Sequence, residues 1–144
     1  MSSSKPLEDA KGKIAFIYPT KRDSNTKELP ILNYFIESKN LGLVMCVAFL
    51  DLDRDGDYFI TLSLKSPSGI EILDTNGNLN AIPSNEIDPK TGTSFLSVDV
   101  WLSIEESGTY QFKCGLINME FNYGNPIDEK VISFNIARAG ANDE

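Results

Sequence analysis

The sequence predicts an all-β protein, a single antiparallel β-sandwich of seven or eight strands. Three observations carry this. Short apolar or alternating runs recur along the chain, with turn residues roughly every 8–12 positions. Two runs, 58-YFITLSL-64 and 95-FLSVDVWLSI-104, alternate with the period of two that marks a half-buried strand. No stretch shows a sustained helical period.

The elements follow in order. Residues 1–12 read as a flexible, polar tail, and the sandwich domain is expected over 13–137. The first strand is 13-KIAFIYPT-20, with Ile14, Phe16 and Tyr18 on one face and Ala15 and Ile17 on the other; Pro19 ends it. After a polar loop, 20-TKRDSNTKE-28, the segment 29-LPILNYFIESKN-40 reads two ways. Leu29, Leu32, Phe35 and Ile36 fit a helical face, with Pro30 in its first turn, yet the same residues suit a strand or an irregular segment.

The run 41-LGLVMCVAFLDL-52 is apolar throughout and reads as a strand buried on both faces. In 58–65, Tyr58, Ile60, Leu62 and Leu64 oppose Thr61, Ser63 and Lys65. The residues of 66-SPSG-69 suit a tight turn into the short strand 70-IEIL-73. The polar stretch from Asp74 to Ser94 is too long for a hairpin. In the next strand Phe95 is out of phase with Leu96, Val98, Val100 and Leu102. Tyr110, Phe112 and Cys114 then share a face, and 130-KVISFNIA-137 is the last strand before a loose tail, 138–144.

Composition removes several function classes. The net charge of −8 and the scattered basic residues argue against nucleic acid and anionic membranes. The chain has no histidine, which excludes His-based acid–base catalysis, His triads and His-ligated metals. No apolar run approaches a membrane span, and the N-terminus lacks the apolar segment of a signal peptide. The expectation is a cytoplasmic, soluble protein with reduced thiols. Cys46 and Cys114 are placed to face each other across the sandwich, as two free thiols or, alternatively, a disulfide.

The stretch 51-DLDRDGDYF-59 resembles the start of a calcium loop, with Asp51, Asp53, Asp55 and then Gly56. The position that should carry a bidentate Glu is Leu62, and the flanks are strands. The reading taken is a hairpin turned at Asp55-Gly56, both residues tolerating positive φ. The alternative is a Ca²⁺ site built from Asp51, Asp53, Asp55 and Asp57, with Asp74 or Asp88 as further ligands; otherwise no cofactor is expected.

Two resemblances add to this reading. The segment 106-ESGTYQFKC-114 resembles an immunoglobulin-type corner, which implies an immunoglobulin-like or related topology and a Tyr110 hydroxyl bonded to upstream backbone. Here Cys114 lies two residues beyond the position of that family's cysteine, and Trp101 lies away from that family's tryptophan. Over residues 12–136, 12-GKIAFIY-18, 56-GDYFITLSL-64, 67-PSG-69 and 108-GTYQF-112 resemble motifs of small bacterial β-sandwich proteins of no assigned activity. That resemblance implies a bacterial or phage origin and a non-catalytic character.

No Ser–Lys pair stands out as a nucleophile and base, and an enzyme is not expected. The loop 118-NMEFNYGNP-126 offers Phe121, Tyr123, Asn122 and Asn125 as a candidate binding cluster, whose rings could stack on a sugar or anchor a protein. The bland alternative packs Phe121 or Tyr123 on the core. The function expected is a non-catalytic binding module with a protein partner or self-association. The alternatives are a phage or secretion-apparatus assembly subunit and a carbohydrate- or calcium-binding accessory domain.

Overall fold

The computed structural model describes residues 4–21, 30–74 and 80–138, with the side chains of Lys21 and Asp74 outside the description. The described strands are β1 (Lys13–Lys21), β2 (Asn33–Ile36), β3 (Asn40–Leu50), β4 (Tyr58–Lys65), β5 (Glu71–Asp74), β6 (Asn80–Ala81), β7 (Ser94–Ser103), β8 (Gly108–Asn118) and β9 (Pro126–Arg138). One sheet has the order β1-β3-β7; the other runs β2-β9-β8-β4-β5, with β6 also paired to β4. Among the described residues there is no α-helix, only three short 3-10 turns. The all-β, two-sheet expectation holds, but nine strands replace seven or eight. The extra one is the two-residue β6, hidden inside the polar stretch 74–94. The tail residues 1–3 and 139–144 and most of the loop 20–28 lie outside the described residues.

The alternating runs build the core as their periods require. Leu43, Met45, Val47 and Phe49 of β3 face Tyr58, Ile60, Leu62 and Leu64 of β4 and Tyr110, Phe112, Cys114 and Leu116 of β8 within one buried cluster. Within the segment 29–40, the described residues 30–39 are irregular with a four-residue strand, not a helix. Of its supposed helical face, Leu32 and Phe35 are exposed, while Tyr34 and Ile36 turn inward. β2 also breaks the all-antiparallel expectation, because it runs parallel to β9 with Asn33 opposite Asn135. Side-chain packing holds it there: the Tyr34 ring meets Phe134 edge-on at 5.7 Å, and its hydroxyl donates to the Thr20 carbonyl at 2.9 Å.

Two further expectations are overturned. In β1 a bulge between Ile14 and Phe16 puts them on opposite faces, so Ile14 is buried against the core and Phe16 points out. The segment 51–57 is not a hairpin. β3 and β4 belong to different sheets, and these residues carry the chain from one to the other. The turn closes from Asp53 to Gly56, whose N–H donates to the Asp53 carbonyl at 2.8 Å. The positive φ falls on Asp51, at 57°, and not on Asp55 or Gly56. Burial of Leu52 and Tyr58 in the space between the sheets decides this path.

The stretch before β1 is bonded to the domain. Lys5 forms a parallel bridge with Phe121, with its N–H on the Glu120 carbonyl at 2.9 Å, and its ammonium sits 5.5 Å above the Phe121 ring. Both cysteines are free and buried, but they do not face each other. Cys114 lies in the core, whereas Cys46 lies on the opposite face of its sheet, between Tyr18 and Ser97.

The corner resemblance is met at one atom pair: the buried Tyr110 hydroxyl donates to the Glu106 carbonyl at 2.5 Å. The Glu106 carboxylate accepts from Ser68, and the Ser68 and Ser66 hydroxyls hold it below the usual carboxylate range. Tyr110→Phe is expected to cost about 1–2 kcal/mol in urea denaturation, with the fold retained. A cost below about 0.3 kcal/mol would remove the corner from the stabilising contacts.

Candidate functional site

The outward face of the β1-β3-β7 sheet carries the most distinctive surface chemistry. Its register sets three rows across the sheet: Phe16, Ala48 and Phe95; Tyr18, Cys46 and Ser97; Thr20, Val44 and Asp99. Farther along, Gly42 lies opposite Trp101. The central strand supplies small side chains and the flanking strands supply rings. The rings of Phe16 and Tyr18 stack with centroids 6.1 Å apart, and Tyr18 meets Phe95 at 6.4 Å. These rings roof β3, so Cys46 and Ala48 are buried on a face that no second sheet covers.

Trp101 anchors the other end. A Cβ placed on Gly42 would lie 2.3 Å from Trp101 Cζ3, so the indole rests directly on the glycine. The ring is nonetheless 67% exposed, and Phe16 is 52% and Phe95 45% exposed. From the Ala48 row to Gly42 is six residues of strand, about 20 Å. Ser97 and Asp99 lie between the two aromatic ends on the same face. Exposed rings of this size, held on paired strands, are the kind of apolar surface that marks a binding site.

The residues expected from sequence are placed differently. Phe121 is buried beneath Lys5, so the core reading applies to it. Tyr123 is 76% exposed, in a left-handed conformation with φ 56°. The Asn122 amide Nδ2 donates to the Pro126 carbonyl at 3.1 Å, stiffening the loop. Asn125 lines a separate cleft of about 380 Å³ with Glu71, Lys113 and Glu129.

The aspartates also separate. Asp51 pairs with Lys13 at 3.4 Å. Asp53 Oδ1 accepts the Asp55 N–H at 3.1 Å, as a turn residue does. The Asp57 carbonyl accepts the Met119 N–H at 3.0 Å. Asp88 caps its own loop, its Oδ1 accepting the Lys90 N–H at 2.8 Å, and the Asp74 side chain lies outside the description. Among the described residues no three Asp, Glu, His or Cys side chains gather as a metal group. No described helix is long and apolar enough to cross a membrane.

The aromatic platform was missed because its members are far apart in sequence. One signal pointed to it: Phe95 is out of phase with the core positions of its run, and Trp101 shares its parity.

No family model and no curated protein matches the chain. Among solved structures, it is similar to the C-terminal domain of wzt, with a TM-score of 0.54 and 11% identity over 96% of this chain and 83% of that one. It is also similar to a bacterial adhesin from Mobiluncus mulieris that contains intramolecular disulfide, isopeptide and ester bond cross-links. There the TM-score is 0.55 and the identity 8%, over 89% of this chain and 58% of the adhesin chain. At such identity the likeness is one of fold: the chain is a β-sandwich.

Proposed function

We propose that the chain is a non-catalytic binding module, and that the outer face of its three-stranded sheet takes an extended glycan. The carrying observation is the alignment of Phe16, Tyr18, Phe95 and Trp101 on one face. Sugar rings present C–H faces that pack on aromatic rings. Strand-borne rings lose little freedom on binding, which favours affinity. Charge supports the choice. In a chain of net charge −8, the described part of this face carries one carboxylate, Asp99, beside Lys13 at its end.

Size separates a glycan from a protein partner. Three strands about 4.8 Å apart and about 20 Å of length give a platform on the order of 200 Å². A stable protein interface buries about 800 Å² on each partner. One polymer chain lying along the rings needs no more than the platform. The lack of histidine in the sequence removes His-based acid–base catalysis and supports a binding role.

Affinity electrophoresis in gels containing neutral polysaccharides tests the reading. Retardation by at least one polysaccharide is expected, with Trp101→Ala weakening it about tenfold or more and shifting Tm by less than about 3 °C. Equal retardation of the Trp101→Ala and Phe16→Ala variants and the parent would place binding elsewhere. No retardation, with a concentration-dependent dimer in sedimentation, would replace the glycan by a second copy.

A further inference from the structure

Beyond the Phe16 end of the platform lies a cleft of about 540 Å³, lined among others by Lys11, Lys13, Asp51, Lys90, Thr91 and Gly92. Its lining residues are opposite in balance to the chain: three lysines and one aspartate in a protein of net charge −8. Lys13 is paired with Asp51 at 3.4 Å. Lys11 and Lys90 have no ion-pair partner among the described residues.

Both walls of the cleft are fixed. The Lys11 carbonyl accepts the Tyr58 hydroxyl at 2.7 Å. On the other wall, the Leu52 N–H donates to the Gly92 carbonyl at 2.8 Å, and the Gly92 N–H donates to the Asp88 carbonyl at 2.8 Å. Gly92 has φ +69°, and a Cβ there would lie 2.8 Å from the Leu52 carbonyl oxygen, so the loop sits directly against the end of β3. The Asp88 carboxylate is turned into its own loop, accepting the N–H groups of Lys90 and Thr91 at 2.8 and 3.3 Å. The lysines therefore hang from a backbone that does not need ordering when a ligand arrives.

We propose that this cleft binds an oxyanion, a phosphate, sulfate or carboxylate group, held by Lys11 and Lys90. Lysine ammonium groups bind such anions as point charges, with no fixed planar geometry required. The oxyanion site stands on the cleft itself. Its use by a glycan rests on the platform reading: Lys13 lies opposite Leu50 and Phe16 opposite Ala48, so the cleft adjoins the end of the platform. A charged substituent on a bound glycan would reach it.

The test is an amide-resolved NMR titration with inorganic phosphate, sulfate and acetate against chloride at matched ionic strength. Saturable shifts in 11–13 and 90–92 are expected for at least one oxyanion, and the double variant Lys11→Gln/Lys90→Gln should weaken binding at least tenfold. Trp101→Ala should leave this titration unchanged, which separates it from the platform. Shifts that are linear in concentration, equal to those in chloride or insensitive to the double variant would overturn the site. A second arm compares retardation by an anionic and a neutral polysaccharide of the same backbone. Tighter binding of the anionic one, lost in the double variant, supports the site with the anion on a glycan. Equal retardation alongside saturable oxyanion shifts supports it with a free anion as ligand.

Discussion

Tyr58→Phe is expected to lower the stability of the domain by about 2–3 kcal/mol, read from urea denaturation at pH 7. The Tyr58 ring is buried, and its hydroxyl joins the two segments that leave the end of the β1–β3 ladder. It donates to the Lys11 carbonyl at 2.7 Å and accepts the Asp53 N–H at 2.8 Å. Phenylalanine keeps the ring and leaves both backbone groups without this partner, each costing on the order of 1 kcal/mol. Tyr58→Ala removes the ring as well and is expected to cost about 4–5 kcal/mol. Gly56 belongs to the same unit, because a Cβ there would lie 2.5 Å from Tyr58 Cε2. Gly56→Ala must therefore shift the ring or the turn. The oxyanion titration should also weaken in Tyr58→Phe, since Lys11 is held through this hydroxyl. A cost below about 0.5 kcal/mol would show that water replaces the hydroxyl and that the strap is held by its other contacts.

The second large effect is expected in alkali. Burial pushes the Cys114 thiol up to about 12 from its ordinary value near 9, with the Asp128 carboxylate adding to the rise. Burial likewise raises the phenols of Tyr34, Tyr58 and Tyr110 above their ordinary value of 10. For each group the fold favours the protonated form. Once the pH passes about 9, the unfolded chain gives up protons that the folded chain keeps, and stability falls as pH rises. The contribution is complete below the thiol's ordinary value and is lost up to about pH 12. For the thiol alone a shift of this size is on the order of 4 kcal/mol. Urea midpoints at pH 7, 9, 10.5 and 11.5 should therefore decline after the second point. In Cys114→Ala the decline should be shallower. A midpoint that stays flat to pH 11.5 would mean that these groups reach water in the native state.

Much of the fold is legible from side-chain parity. Tyr58, Ile60, Leu62 and Leu64 announce β4 and its buried face, and Tyr110, Phe112 and Cys114 announce β8. Parity is local, so it fails where one residue breaks the count. The bulge after Ile14 sends Phe16 outward, and nothing in 13-KIAFIYPT-20 marks that position. Turn chemistry is local too. Asp and Gly in 51–57 signal a reversal, but they do not say whether the next strand joins the same sheet or the opposite one. For the site, the loop residues Phe121, Asn122, Tyr123 and Asn125 were attractive because they are neighbours in sequence. The structure buries Phe121, exposes Tyr123, bonds the Asn122 amide to the Pro126 carbonyl and places Asn125 on a cleft.

The sequence by itself determined the all-β class, most of the strands and the absence of any imidazole chemistry, while it left the pairing of the two cysteines open. Each of these depends on residue type or on neighbours one or two positions away. Only the tertiary structure decided which strands share a sheet, and therefore which side chains meet. Phe16, Tyr18, Phe95 and Trp101 form one surface because β1 and β7 both pair with β3, in a register that places Gly42 under the indole. Lys11 and Lys90 face one cleft because a tyrosine hydroxyl and a glycine carbonyl fix two distant loops. Such pairings are set by the burial of both sheets against each other at once, a condition that no single segment of the chain contains.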